Sequence, residues 1–175
     1  MTTIDVRVAD TGDIQELSAL GRTVFYATYG SSSDPDDIAE HVEKYFGEPA
    51  IAAAMADGDV QYLIASDGTK CAGLVKLCYN SVHDLVPAAT AIEVQQVYVA
   101  TDYQRMGVGR ALMNAAVEIS KRRRVAGVWL SVWTDAQWAT SFYIGYGFSS
   151  LGETPFYIGK TRYTDYLMWL PLGVA

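Results

Sequence analysis

The chain has few of the residues that metal centres and disulfide frameworks need. Its 175 residues include two cysteines, two histidines and five prolines. Cys71 and Cys78 lie seven positions apart in a run that reads as one strand. Odd spacing on a strand sends side chains to opposite faces, a separation that a disulfide cannot bridge. His41 and His83 stand alone, no Cys, His and carboxylate cluster has ligand spacing, and no metal is expected. Long apolar runs are also missing. The longest, near 50–56, is too short to span a bilayer. The start, M-T-T-I-D-V-R-V, has no basic segment leading into an apolar run. A cytoplasmic protein without membrane contact is expected. Positive charge is scarce as well, with 13 Lys and Arg against 20 Asp and Glu. A net charge of −7 argues against a nucleic-acid partner.

What is present suits one globular domain over residues 1–175. Half of the chain is apolar, and its length allows a sizeable core. Charge is unevenly spread. Residues 1–90 hold five Lys and Arg against fourteen Asp and Glu, whereas residues 91–175 hold eight against six. The first half would attract a cation. Asp34, Asp36, Asp37, Glu40 and Glu43 place five carboxylates within ten residues.

Ile4, Val6 and Val8 alternate as in a strand. Asp10–Asp13 is a turn that can cap a helix over Ile14–Tyr29. A breaker cluster follows, and Asp34-Pro35 reads as the cap and first position of a helix reaching Phe46. Pro49 opens a short helix. Val60–Ser66 and Lys70–Cys78 flank Asp67-Gly68 as a β-hairpin. Ala91–Val99 is a central strand, followed by a helix whose Val108, Leu112, Ala115 and Ile119 share one face. That helix ends at Lys121–Arg124, where cations suit a C-terminus. Gly127–Trp133 reads as a strand, Ala136–Gly145 as a helix, and the remainder as two strands joined by a turn. Hairpins followed by β-α-β predict a mixed sheet with helices on its faces.

The most telling segment is V-Y-V-A-T-D-Y-Q-R-M-G-V-G-R-A-L, Val97–Leu112. A strand runs into Q-x-x-G-x-G, formed by Gln104, Gly107 and Gly109, and a helix opens at once. Glycine allows positive φ and close backbone approach. The first N–H groups of the helix have no intrahelical partners. Arg105 and Arg110 add positive charge, so the turn can hold a pyrophosphate. After the strand W-L-S-V-W comes A-T-S-F-Y-I-G-Y-G-F, Ala139–Phe148.

Together the two motifs resemble those of the GCN5-related N-acetyltransferases, the GNAT family. The resemblance implies an α/β (α+β) GNAT fold, a mixed central β-sheet of six to seven strands flanked by helices on both faces. It implies acetyl-CoA as co-substrate, held by Gln104, Arg105, Met106, Gly107, Val108, Gly109 and Arg110 and by the backbone of Val97, Tyr98 and Val99. Tyr143 matches the tyrosine beside the coenzyme sulfur, a candidate general acid. Glu93, eleven residues before Gln104, is a candidate base working through water, with a chain of ordered waters as the alternative. Alternation puts Glu93, Gln95 and Val97 on one face. The sequence departs from the family at Ala136, where an asparagine usually contacts the pantetheine arm. Gln137 can replace it, or one hydrogen bond is missing.

The tail F-Y-I-G-K-T-R-Y-T-D-Y-L-M, Phe156–Met168, looks most like the spermidine and spermine branch. The expected partner is therefore a small cationic amine, with Asp34, Asp36, Asp37 and Glu40 as its candidate binding residues. Rival readings are acetylation of a protein N-terminus or lysine, and a non-catalytic acyl-CoA sensor. With no cysteine in either motif, direct attack in a ternary complex is expected. A homodimer is left open.

Overall fold

Local chemistry forms most elements of the computed structural model, which describes residues 4–173. Asp10 caps a 3₁₀ turn at Thr11–Asp13, its carboxylate accepting from the Gly12 N–H at 2.8 Å, and α1 (Ile14–Tyr29) follows. Asp34 caps α2 (Pro35–Phe46), with Pro35 where no N–H is needed. α3 (Glu48–Ala56) completes this group. In the hairpin of β2 (Val60–Ser66) and β3 (Cys71–Cys78), Asp67 Oδ1 accepts from the Thr69 and Lys70 N–H groups, each at 2.8 Å. Cys71 and Cys78 carry free thiols, and burial pushes both up to about 11.

Then come β4 (Ala91–Val99), α4 (Val108–Arg122), β5 (Gly127–Trp133), α5 (Gln137–Tyr146), β6 (Ser149–Ile158) and β7 (Thr161–Pro171). With β1 (Asp5–Val8), the strands form one sheet in the order β1-β2-β3-β4-β5-β7-β6. Among the described residues only β4 and β5 pair in parallel. α4 and α5 bury Leu112, Met113, Ala116 and Ala139 with Ile92, Val94, Val128 and Leu130 on one face. α1, α2 and α3 cover the other face through Leu17, Phe25, Ile38, Val42 and Ile51. This is the expected mixed sheet, seven-stranded, with helices on both faces.

Two irregularities position the site. The β4–β5 ladder pairs Ala91 with Gly127, Ile92 with Val128 and Glu93 with Trp129, and goes no further. Both strands continue, to Val99 and Trp133, so they diverge. The second is a β-bulge. Leu77 of β3 pairs with Val94, but Lys76 pairs with Gln96, so Gln95 is the extra residue. Accordingly Ile92, Val94, Val97 and Val99 all meet the α4 side of the core, although their spacing changes parity. The expected alternation is thus corrected. Val97 does not share a face with Glu93, because a bulge reverses the pleat beyond it.

Candidate active site

Divergence of two central strands leaves unpaired backbone along the facing edges of Val94–Val99 and Leu130–Trp133. Such an edge can pair with an added extended chain. Gln95 and Ser131 are exposed although both lie in central strands. The opening therefore reaches the floor of the sheet.

At the end of β4, Thr101–Tyr103 makes a 3₁₀ turn, and Arg105 and Gly107 both take positive φ, +62° and +86°. Gly107 is the N-cap of α4, and no side chain caps that helix. The first helical bond is from the Ala111 N–H to the Gly107 carbonyl at 3.0 Å. The N–H groups of Val108, Gly109 and Arg110 consequently sit at the positive end of the helix dipole with no intrahelical acceptor. Gln104, Arg105, Met106 and Arg110 are exposed around them, and the Arg110 guanidinium lies 5.6 Å over the Tyr146 ring. Gly109 lies between α5 and the end of β4. A Cβ there would be 3.7 Å from both Phe142 Cζ and Val99 Cγ2. The candidate cofactor residues thus run from the open strand edge at Val97–Val99 to the uncapped helix terminus at Gly107–Arg110.

Tyr143 is 9% exposed on α5, its ring edge-on to Phe142 and Phe148 at 5.2 and 5.7 Å. Burial pushes its phenol up, so it is protonated at neutral pH and can donate. Ala136 is the N-cap of α5 and supplies no capping bond, while Gln137 beside it is exposed. Glu93 is half-buried where the strands part, on the face opposite Ile92 and Val94. Burial raises its carboxyl, against the opposing pull of Ser81, Lys76, Gln95 and His83.

That face carries residues from β5 and β7 that the sequence motifs did not mark. Trp129, Ser131 and Trp133 alternate with the core residues Val128, Leu130 and Val132, and Tyr163, Asp165 and Leu167 alternate on β7. Tyr29 at the end of α1 packs on Trp133 at 5.3 Å and on Tyr163 at 5.1 Å. Asp165 is only 5% exposed, and burial pushes its carboxyl up to about 6, with the Ser131 hydroxyl pulling the other way. For a carboxyl raised in the folded state, the stabilising effect is complete below the unfolded value. It is lost as pH rises through about 6, so ionised Asp165 destabilises the fold at neutral pH. A signal for it was legible, since an acidic residue occupies the apolar register Tyr163-x-Asp165-x-Leu167-x-Trp169.

The acidic segment is partly committed to structure. Asp34 accepts from the Asp36 N–H at 2.9 Å, Asp37 from the Lys160 N–H at 3.2 Å, and Glu43 pairs with Arg22 at 2.7 Å. Asp36 and Glu40 remain exposed with no such bond among the described residues. His41, on the same helix, stacks on Phe25 at 4.6 Å, and burial lowers it to about 4. Among the described residues no group of His, Cys and carboxylates could hold a metal, and no helix is long and apolar enough to cross a membrane.

Comparison with known proteins bears on this geometry. The profile of the acetyltransferase (GNAT) family matches residues 24–148. An uncharacterised N-acetyltransferase of Lactobacillus delbrueckii subsp. lactis is 28% identical over 169 residues, 96% of this chain and 97% of that protein. The PaiA N-acetyltransferase of Thermoplasma acidophilum, solved with coenzyme A, superposes with a TM-score of 0.76 at 18% identity, covering 97% and 99% of the two chains. The spermidine N-acetyltransferase of Vibrio cholerae, solved with CoA and spermine, gives 0.70 at 20% identity, covering 99% and 98%. At these identities the solved structures establish the fold.

Proposed function

The chain belongs to the acetyltransferase (GNAT) family and is an acetyl-CoA-dependent N-acetyltransferase; from that premise we propose that its acceptor is a small polycationic amine of the spermidine and spermine class, acetylated by direct attack in a ternary complex. The observation carrying this reading is the exposed acidic face of α2, a helix tied to the β6–β7 turn through Asp37. Asp36 and Glu40 are exposed carboxylates left over after Asp34, Asp37 and Glu43 have been used by the fold. They can pair with distal ammonium groups, and a neutral peptide would gain little from them.

The residues present fit the coenzyme. The open β4 edge suits an extended amide-bearing arm, and the uncapped α4 N-terminus suits its pyrophosphate. When bound, acetyl-CoA supplies the acetyl group as a thioester. A backbone N–H at the end of β4 polarises the acetyl carbonyl. Glu93 accepts the amine proton through water, which is needed because a free alkylamine has a pKa near that of lysine, about 10.4. Tyr143 Oη returns a proton to the departing sulfur. Cys71 and Cys78, held mainly as thiols by burial, are poor nucleophiles, which favours direct attack.

An acceptor panel read by free thiol release tests this. Spermidine and spermine are expected to outperform a neutral N-terminal peptide in kcat/KM, and their KM should rise with ionic strength. The double variant Asp36→Asn with Glu40→Gln should raise the polyamine KM between about twofold and tenfold, the effect of losing two exposed charge pairs. The KM of acetyl-CoA should not change. If polyamines are not substrates, or if the double variant leaves their KM alone, the acidic face of α2 is a solvated helix face. Separately, Glu93→Gln should lower kcat by about 10²-fold or more with little effect on the amine KM. Full activity in that variant would assign proton removal to water.

A further inference from the structure

We propose that Asp165, on β7, is the anchor for the ammonium group of the acceptor. This deepens the reading above, since it assigns a residue to the acceptor side of the same cleft. Asp165 Oδ1 is fully buried and has no hydrogen-bond partner, and Asp165 takes part in no salt bridge among the described residues. Buried polar atoms in native proteins are nearly always satisfied, and an unpaired buried carboxylate is costly. A group retained at such a cost calls for a partner that arrives from outside.

Its place in the sheet says where that partner would sit. Across the two ladders, Asp165 faces Trp133 on β5 and Thr154 on β6. Both neighbours are touched by segments that arch over the sheet. Tyr29, at the end of α1, packs on Trp133, and the next segment seats the Ser32 and Ser33 hydroxyls on the Tyr163 hydroxyl. From the other side His83, in the β3–β4 connection, bonds Thr154 Oγ1 at 3.2 Å and packs 5.9 Å from the Trp129 ring. Asp165 therefore lies on the floor between two covering segments. The exposed Ser131, beside it on β5, opens that floor to the space between the diverging strands. Glu93 is on the same face, at the point of divergence.

The surroundings define the ligand class. One carboxylate oxygen, the Ser131 hydroxyl and the rings of Trp133 and Tyr29 suit a compact cation on an apolar stem. The carboxylate pairs with the charge, and the aromatic faces attract it further and pack on its methylenes. A primary alkylammonium fits this description, and a carboxylate or phosphate does not. The charge of Asp165 adds to burial in holding the Tyr29 phenol protonated, so Tyr29 itself brings no competing negative charge.

Asp165→Asn tests the assignment, because it keeps the shape and removes the charge. The expected result is a rise of at least about thirtyfold in KM for the best amine of the panel, as for loss of one partner of a buried charge pair. kcat at saturation and the acetyl-CoA Kd should be preserved, and the thermal midpoint at pH 7.5 should not fall. A second readout needs no turnover. Hexylamine should raise the thermal midpoint of the wild-type enzyme with CoA bound, and should leave that of Asp165→Asn unmoved. An unchanged amine KM together with an unchanged hexylamine shift overturns the inference, as does a midpoint that drops in step with activity. Should Asp165→Asn be insoluble, Asp165→Ser carries the same test. If the preferred amine is not a polyamine and Asp165→Asn still loses affinity for it, the ammonium anchor stands and the polyamine reading alone fails.

Discussion

Tyr143→Phe is expected to lower turnover by about 10²–10⁴-fold, the usual contribution of a positioned general acid, while leaving acetyl-CoA affinity unchanged. The Tyr143 ring is wedged edge-on between Phe142 and Phe148 within the core that α5 shares with β4 and β5. Phenylalanine keeps those contacts and loses only the hydroxyl. Because burial pushes the phenol up, the group is fully protonated across the neutral range. Its loss should therefore lower kcat without adding a new limb to the pH profile there. Calorimetry for acetyl-CoA and steady-state turnover, measured on the same preparation, decide the matter. Equal losses of binding and turnover would identify Tyr143 as a packing residue, and an unchanged kcat would remove it from the chemistry.

Gly109→Val is expected to weaken acetyl-CoA binding by at least about tenfold with the fold intact. Gly109 has ordinary φ, and a Cβ added there meets Phe142 and Val99 at 3.7 Å, a normal contact distance. The protein alone thus has no steric need of glycine at this point. Gly109 lies between the Val99 end of β4 and Phe142 of α5 beside the free N–H groups of α4, and a branched side chain there would crowd the approach to them. Gly107 differs. Its φ of +86° makes any side chain costly to the fold, about 1 kcal/mol or more for a residue with a Cβ in the left-handed region. Gly107→Ala should consequently lower thermal stability as well as coenzyme affinity. Undiminished calorimetric affinity in Gly109→Val would falsify the placement of the coenzyme at the α4 N-terminus.

Much of this molecule is local, and what is local was legible. The Asp-Gly hairpin, the Asp34-Pro35 helix start and the glycine turn before α4 each depend on residues within a few positions, through capping, fixed φ or positive φ. The two motifs lie on contiguous segments, so their order and their chemistry could be read without knowing how the sheet is assembled. The same holds for Tyr143, whose place on α5 follows from F-Y-I-G-Y-G-F.

What remained hidden depends on pairing between distant segments. The bulge at Gln95 exists only relative to β3, because an extra residue in one strand has no meaning until its partner is known. It turned Val97 away from Glu93 against the simple period of two. The separation of β4 from β5 after Glu93 and Trp129 is likewise a property of the sheet, and it is what opens the cleft. The five carboxylates from Asp34 to Glu43 look equivalent in the sequence. Tertiary contacts made them different, giving Asp37 to the β6–β7 turn and Glu43 to Arg22 while leaving Asp36 and Glu40 without a bonded partner among the described residues. Asp165 is the extreme case. Its strand pattern shows an acidic residue in an apolar register, but only the sheet order β4-β5-β7 brings it to the face that Glu93 shares. Sequence alone determined the elements, the glycine turn before α4 and the two motifs that mark the family, because these are set by short-range geometry. The proposed acceptor side depends on the tertiary structure, because it draws on α1, α2, β4, β5 and β7, and electrostatics and burial act through space.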